Sequence, residues 1–484
     1  MLSCSAQFRP MKILAICSFA LAPLAGLAGS AAAQTSQAWT WCERKSDRIT
    51  DDQQIRGCTT VIQSGKESKQ NLAVAYMNRG NAYDEKGEHD RAIQDYDQSL
   101  VLGPGRANVY YNRGMAYANK DQQDRAIADF SAAIRLDPKH ASAFNNRGLA
   151  YEDNKDYVRA LADYSEAVRL NPRDAVAIHN RGDIYRKTDR QDQAIAEYTK
   201  AIQLDSKRVR SFNNRGLAYE LKKDYPRALA DYTEALRIDP DYAPAFVNRG
   251  DVHRAMNAPD RAIADYTAAL RIDAKYQAAY EGRASAFEAK ADYGRAILDY
   301  NEIIRLTPDA AEAWNSRCWA RAIAGDLEPA LKDCNESLRL APNVSSTIDS
   351  RGLVHLKLGR LDDAIADYDT ALKLDAKSAN SQYGRGIVRL KKGDAAGGNA
   401  DITAAKALQA NIAEEFVRYG VLVPVPAAAA APASAPAAGC ALAETHWKSA
   451  EEIKALAVYQ DHLARFAACD FAVLAKARIE ALSK

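Results

Sequence analysis

Ten arginines recur at a fixed step of 34 residues: Arg79, Arg113, Arg147, Arg181, Arg215, Arg249, Arg283, Arg317, Arg351 and Arg385. A row of guanidinium groups suits an anionic ligand, because each fork matches a carboxylate or a phosphate. Here an acid follows every one of them 16 residues later, from Asp95 through Glu197 to Asp401. Acids matched one for one favour internal forked pairs instead, with Arg147–Asp163 and Arg215–Asp231 as typical struts. The seven histidines (His89, His140, His179, His253, His355, His446, His462) form no close pair or H-E-x-x-H run. There is no phosphate loop and no dinucleotide fingerprint, and residues beyond the leader hold no nucleophile elbow. No catalytic residue, metal ligand or cofactor site is expected, and the chain does not read as an enzyme.

The elements that carry these residues follow from the period. A 34-residue unit holding two amphipathic, helix-length segments means stacked helical hairpins. Asn-Arg-Gly marks the units at 78–80, 112–114, 146–148, 180–182, 214–216 and 248–250. With Arg as position 7, Gly usually stands at 8 and an aromatic at 11 (Tyr83, Tyr117, Tyr151, Tyr185, Tyr219). Ala stands at 20 (Ala92, Ala126) and Tyr or Phe at 24 (Tyr96, Phe130, Tyr164, Tyr198, Tyr232), while Pro closes several units at 32 (Pro104, Pro138, Pro172, Pro240). This pattern resembles the tetratricopeptide repeat (TPR) family, apart from Arg at position 7, where the family usually has Leu. The resemblance implies an all-α, right-handed superhelical solenoid of about ten helix-turn-helix repeats over residues 73–412, with helical caps. Residues 146–164 also return almost unchanged at 214–232, the mark of a 68-residue internal duplication.

In such a hairpin, turning near positions 15–16, facing positions sum to about 32. A small Gly at 8 then opposes a large ring at 24, and Arg at 7 lies near the acid at 23. In the eighth unit both members of the 8/24 pair change together, to Cys318 and Cys334. Cys42 and Cys58 have the same spacing in a degenerate leading hairpin (34–72). Both are expected to be disulfides. A third bridge, Cys440–Cys469, stays open: it forms only if residues 441–447, which reach at most about 25 Å, run fully extended along a helix roughly 26 Å long.

The resemblance to TPR proteins implies a concave face built from the first helices. Position 6 would present Asn78, Asn112, Asn146, Asn180, Asn214 and Asn248 there. A row of amides can bond the backbone of an extended peptide, or it can tie neighbouring first helices together. Position 12 alternates in sign as Glu152, Arg186, Glu220, Arg254 and Glu288, which suits mutual pairing, a solvated face or a ligand of mixed charge. Few aromatics face the groove (Tyr111, Trp319, Tyr383), which favours a protein or peptide partner over a glycan. Lys is absent from position 5, so the family's chaperone-tail clamp is not expected.

The ends and the composition set the location. Arg9 and Lys12 precede an apolar run from Ile13 to Leu27, and Ala31-Ala32-Ala33 follows. Residues 1–33 read as a secretory signal peptide cleaved after Ala33, with Met11 an alternative start to Met1. No later stretch is long and apolar enough to span a bilayer. The chain has 65 Lys and Arg against 63 Asp and Glu; without Arg9 and Lys12 it is neutral, which gives no reason to expect a nucleic acid or membrane partner. After the repeats, 411–420 reads as a polar-faced cap, with 413–420 lying beyond the array. Residues 421–439 form a Pro/Ala-rich linker, and 440–484 a helical hairpin opened by a capping box at Ser449 and Glu452. The expectation is a periplasmic or secreted scaffold that binds a protein or extended peptide in its groove. The alternatives are an envelope carrier of a ligand such as a glycan, or a regulatory subunit of an envelope enzyme.

Overall fold

The computed structural model describes residues 37–44 and 46–423, together with 446–447, 456–465, 475–476, 478–479 and 482. The leader, the Pro/Ala linker from 424 onward, Cys440 and Cys469 lie outside the described residues. All regular structure among the described residues is α-helical. The chain divides into two compact units, one ending at Val252 and the other beginning at His253.

The first unit opens with a short pair, α1 (Gln37–Cys42) and α2 (Asp51–Gln63). Thr50 and Gln53 close a reciprocal capping box at the start of α2. Five hairpins follow: α3 (Lys69–Glu85) with α4 (His89–Leu102), α5 (Ala107–Asn119) with α6 (Gln123–Leu136), α7 (Ala141–Asp153) with α8 (Tyr157–Leu170), α9 (Ala175–Lys187) with α10 (Gln191–Leu204), and α11 (Val209–Leu221) with α12 (Tyr225–Ile238). The division between the units falls inside α13 (Ala243–Ala255).

The second unit contains α14 (Pro259–Ile272), then α15 (Gln277–Ala289) with α16 (Tyr293–Leu306), α17 (Ala311–Ala324) with α18 (Leu327–Leu340), α19 (Ser345–Lys357) with α20 (Leu361–Leu374), and α21 (Ala379–Lys391) with α22 (Ala395–Leu408). A helix of about two turns, α23 (Ile412–Arg418), closes the array, and α24 (Leu456–Arg465) lies further along the chain.

Each hairpin turns at position 15, where the backbone enters the left-handed region in every repeat, from Gly87 (φ 76°) to Gly393 (φ 89°). Six repeats place a non-glycine there, including Lys155 (φ 59°) and Ala291 (φ 56°), each bearing a modest steric cost. The next residue starts the second helix, and at four of the five repeats where it is Asp it caps it: Asp156, Asp224, Asp292 and Asp394 accept from the backbone N–H of Arg159, Arg227, Arg295 and Gly397, while Asp326 does not.

The helices of one hairpin approach closely because position 8 has no side chain. A Cβ on Gly148 would lie 2.8 Å from Cε1 of Tyr164, and one on Gly216 would lie 2.6 Å from Cε1 of Tyr232. Both tyrosines are fully buried. At the same pair of positions in the eighth repeat, Cys318 and Cys334 are disulfide-bonded with their Cα atoms 5.3 Å apart. Cys42 and Cys58 form the second disulfide, at 4.6 Å between Cα atoms, and clip α1 to α2.

Candidate functional site

Most position-7 arginines are struts with two attachments. In the third repeat, Arg147 donates Nε and Nη2 to the two oxygens of Asp163, both at 2.8 Å. Its remaining nitrogen, Nη1, reaches back to Ser131 Oγ of the preceding repeat at 3.0 Å. Arg215 repeats the arrangement with Asp231 (2.8 and 2.7 Å) and Thr199 Oγ1 (3.0 Å). Asp163 and Asp231 are only 5% exposed, so these are desolvated pairs. Their carboxylates accept from the guanidinium and raise its affinity for its proton. In the fourth repeat the longer Glu197 meets Arg181 end-on, both oxygens taking Nη2 at 2.8 Å.

The backward attachment lies at position 25, which carries a short polar residue throughout, such as Thr59, Asp97, Thr267, Asn301 and Asp369. That column is visible in the sequence but was not part of the expected pairing. Position 11 adds to the same contact. Where its aromatic is replaced by arginine, Arg321 and Arg389 place a second guanidinium on Asp333 (2.7 Å) and Asp401 (2.9 Å).

The position-6 amides are engaged by neighbouring first helices. Asn112 donates to Asn81 Oδ1 (2.8 Å), Asn180 to Asn145 Oδ1 (3.0 Å), Asn214 to Asp183 Oδ1 (2.8 Å) and Asn248 to Asn213 Oδ1 (2.8 Å). Asn146 donates to the Tyr111 hydroxyl at 2.8 Å. Asn78, in the first repeat, is half-buried. Of the two roles open to these amides, the contacts from Asn112 to Asn248 are those of ties between repeats, leaving little donor capacity for a peptide backbone.

Where position 12 is Glu, it receives the hydroxyl of the position-24 tyrosine. Tyr164 donates to Glu152 (2.7 Å) and Tyr232 to Glu220 (2.8 Å). Glu152 also pairs with Lys187 of the next repeat at 2.7 Å. In the fourth repeat, where position 12 is Arg186, Tyr198 turns to Asp183 instead, at 2.5 Å. Burial opposes charge on Asp183, but His179, Arg186 and the Tyr198 hydroxyl outweigh it and hold the carboxyl well below its usual range. Arg254 is exposed near the end of α13, on the second unit's side of the division. The exposed residues of α11 are Arg210 at position 2 and Leu221 at position 13, the latter 61% exposed.

In the second unit the first-helix face is covered by the chain's own continuation. Residues 412–423 cap the end of the stack and also fold back as a strap. Ile412, Phe416 and Val421 are buried against Tyr383, Ile387 and Val388. The Tyr383 and Phe416 rings are 4.7 Å apart, and Tyr419 packs edge-on against Trp319 at 4.8 Å. Lys357 Nζ pins the strap by donating to the carbonyls of Tyr419 (2.8 Å) and Ala322 (2.6 Å), and burial lowers its ammonium to about 8. The sequence shows a polar-faced cap here; the structure shows an apolar inner side that occupies two of the expected groove aromatics.

Beneath this face Asp349 is buried and accepts from Ser381 Oγ at 2.5 Å. Burial raises its carboxyl to about 6. The folded state therefore holds this proton more tightly than the unfolded chain, whose aspartates titrate near 4. Stability contributed by the protonated form is intact below about pH 4 and is lost as pH rises to about 6. Asp349→Asn is expected to be more stable than the parent above pH 6 by about 3 kcal/mol, with the advantage vanishing near pH 4. Urea unfolding across that range checks the direction.

Stacked hairpins, most with an arginine–carboxylate strut and most with a ring packed over glycine, define a helical-repeat protein. Tetratricopeptide repeat models match residues 73–105, 111–175, 182–223, 209–242, 247–311, 282–345 and 352–393. The chain belongs to the tetratricopeptide repeat proteins. Similar solved structures include a tetratricopeptide repeat protein from Parabacteroides merdae, with 17% identity, 51% of this chain and 98% of that one covered, and a TM-score of 0.41. YrrB, described as a TPR protein with an unusual peptide-binding site, is 27% identical over 40% of this chain and 96% of its own, with a TM-score of 0.34. PilF of Pseudomonas aeruginosa is 22% identical over 43% and 94%, with a TM-score of 0.39. No curated protein matches the chain.

Proposed function

We propose that this chain is a non-catalytic scaffold of the cell envelope that binds a protein or extended peptide along the first-helix face of its first unit. Tetratricopeptide repeats are in general protein-interaction scaffolds, and the repeated polar residues of this chain are absorbed by its own architecture. The observation that carries the reading is α11, where Asn213 and Asn214 tie repeats together while Arg210 and Leu221 remain exposed to a partner. An envelope location is supported by two disulfides, which persist in oxidising compartments. No helix among the described residues is long and apolar enough to cross a membrane. Arg210→Glu combined with Leu221→Asp should abolish partner binding without altering the melting curve. Val158→Asp, on the second helix of its hairpin and 82% exposed, should leave binding intact. Equal binding by all three proteins would overturn the assignment of the face.

A further inference from the structure

The strap and the repeats line an open cleft of about 240 Å³ in the second unit. Its lining is Glu288, Tyr293 and Trp319 from the repeats, and Glu415, Arg418 and Tyr419 from the strap. Trp319 and Tyr419 stand nearly perpendicular, at 79°, so the cleft has two aromatic walls set at a corner, with Tyr293 as a third.

The acids in this cleft are short of a cation. In the third repeat the position-12 glutamate, Glu152, takes the Tyr164 hydroxyl and, from 35 residues on, the Lys187 ammonium. In the seventh repeat Glu288 keeps the tyrosine, Tyr300 at 3.1 Å, but the residue 35 further on is Ile323. Among the described residues no lysine or arginine pairs with Glu288, and burial raises its carboxyl. Glu415 meets Arg418 only at 3.9 Å, and the Arg418 side chain is 65% exposed. Two carboxylates thus face one outlying guanidinium across a space walled by aromatic rings. Aromatic faces attract cations, most strongly where water is excluded.

We propose that this cleft is a binding site for an organic cation, an alkylammonium or guanidinium head seated against Trp319 and Tyr419 with Glu288 as its counter-charge. Because three of the six lining residues belong to the strap, the site exists only while residues 412–423 are docked. The proposal does not rest on the peptide-scaffold reading, since its residues are in the second unit and that reading concerns the first.

The test uses the full chain labelled with 5-fluorotryptophan, with the Trp319 resonance assigned by Trp319→Phe and followed by fluorine NMR. Choline is titrated against its neutral isostere 3,3-dimethylbutan-1-ol and against the tripeptide acetyl-Gly-Lys-Gly-amide. A saturable shift of the Trp319 signal is expected with choline or the tripeptide, at least about tenfold tighter than with the neutral alcohol. Tighter binding of the tripeptide would make the natural cation a partner's side chain, and tighter binding of choline would make it a free solute. Glu288→Gln should weaken cation binding about tenfold, while Arg418→Gln should strengthen it by removing a like charge. Equal binding of the neutral isostere, indifference to Glu288→Gln, or a Trp319 signal unmoved by either cation in the folded protein would each overturn the site.

Discussion

Arg215→Leu is expected to destabilise the fifth repeat by about 3–5 kcal/mol, the cost of leaving one partner of a buried ion pair alone. Asp231 would keep a desolvated carboxylate with no donor replacing the two guanidinium nitrogens it now accepts from. The tie to Thr199 would be lost as well, so the damage should spread to the interface with the fourth repeat. Native-state hydrogen exchange should show it as lost protection in α11 and α12 first, and the urea midpoint should fall. The double variant Arg215→Leu, Asp231→Leu should recover much of the loss, because no charge is then stranded. A single variant within about 1 kcal/mol of the parent, typical of an exposed pair, would contradict the strut reading.

Breaking the eighth-repeat clip should cost nearly as much. Cys318→Ser with Cys334→Ser is expected to lose about 3 kcal/mol, the loop-closure contribution of a bridge spanning some 15 residues. The remedy is written in the other repeats. Cys318→Gly with Cys334→Tyr would rebuild the ring-over-glycine contact seen at Gly352 and Tyr368. It should recover part of the lost stability and make this hairpin indifferent to reductant. A parent protein whose unfolding is unchanged by dithiothreitol would show that neither bridge stabilises the fold. Free thiols at Cys42 and Cys58 after export would weaken the envelope assignment.

What the sequence made legible was whatever repeated. The arginine phase, the Gly and Tyr columns and the paired cysteines all follow from one register, because facing residues in a short hairpin have a fixed separation. The position-25 column was equally periodic, yet its meaning depended on a contact between repeats that a single-hairpin register does not describe. The asparagine column was ambiguous for the same reason, since its partners, 31 or 35 residues back, belong to the preceding hairpin. The strap was least legible. Tyr419 meets Trp319 across 100 residues and Lys357 across 62, and neither contact repeats. Glu288 shows the converse: set beside Glu152 and Lys187 of the third repeat, Ile323 in place of the lysine is a sequence signal once that contact is known.

The central claim is that the first-helix face of the first unit receives a protein partner. The most direct measurement is photo-crosslinking in the native envelope from position 210, with position 237 on the second helix of the same hairpin as the control. Mass spectrometry should identify one protein captured from 210 and absent at 237, and its capture should disappear when Leu221 is replaced by Asp. Identical captures from both positions, or none from 210 with the chain folded and its disulfides formed, would contradict the account.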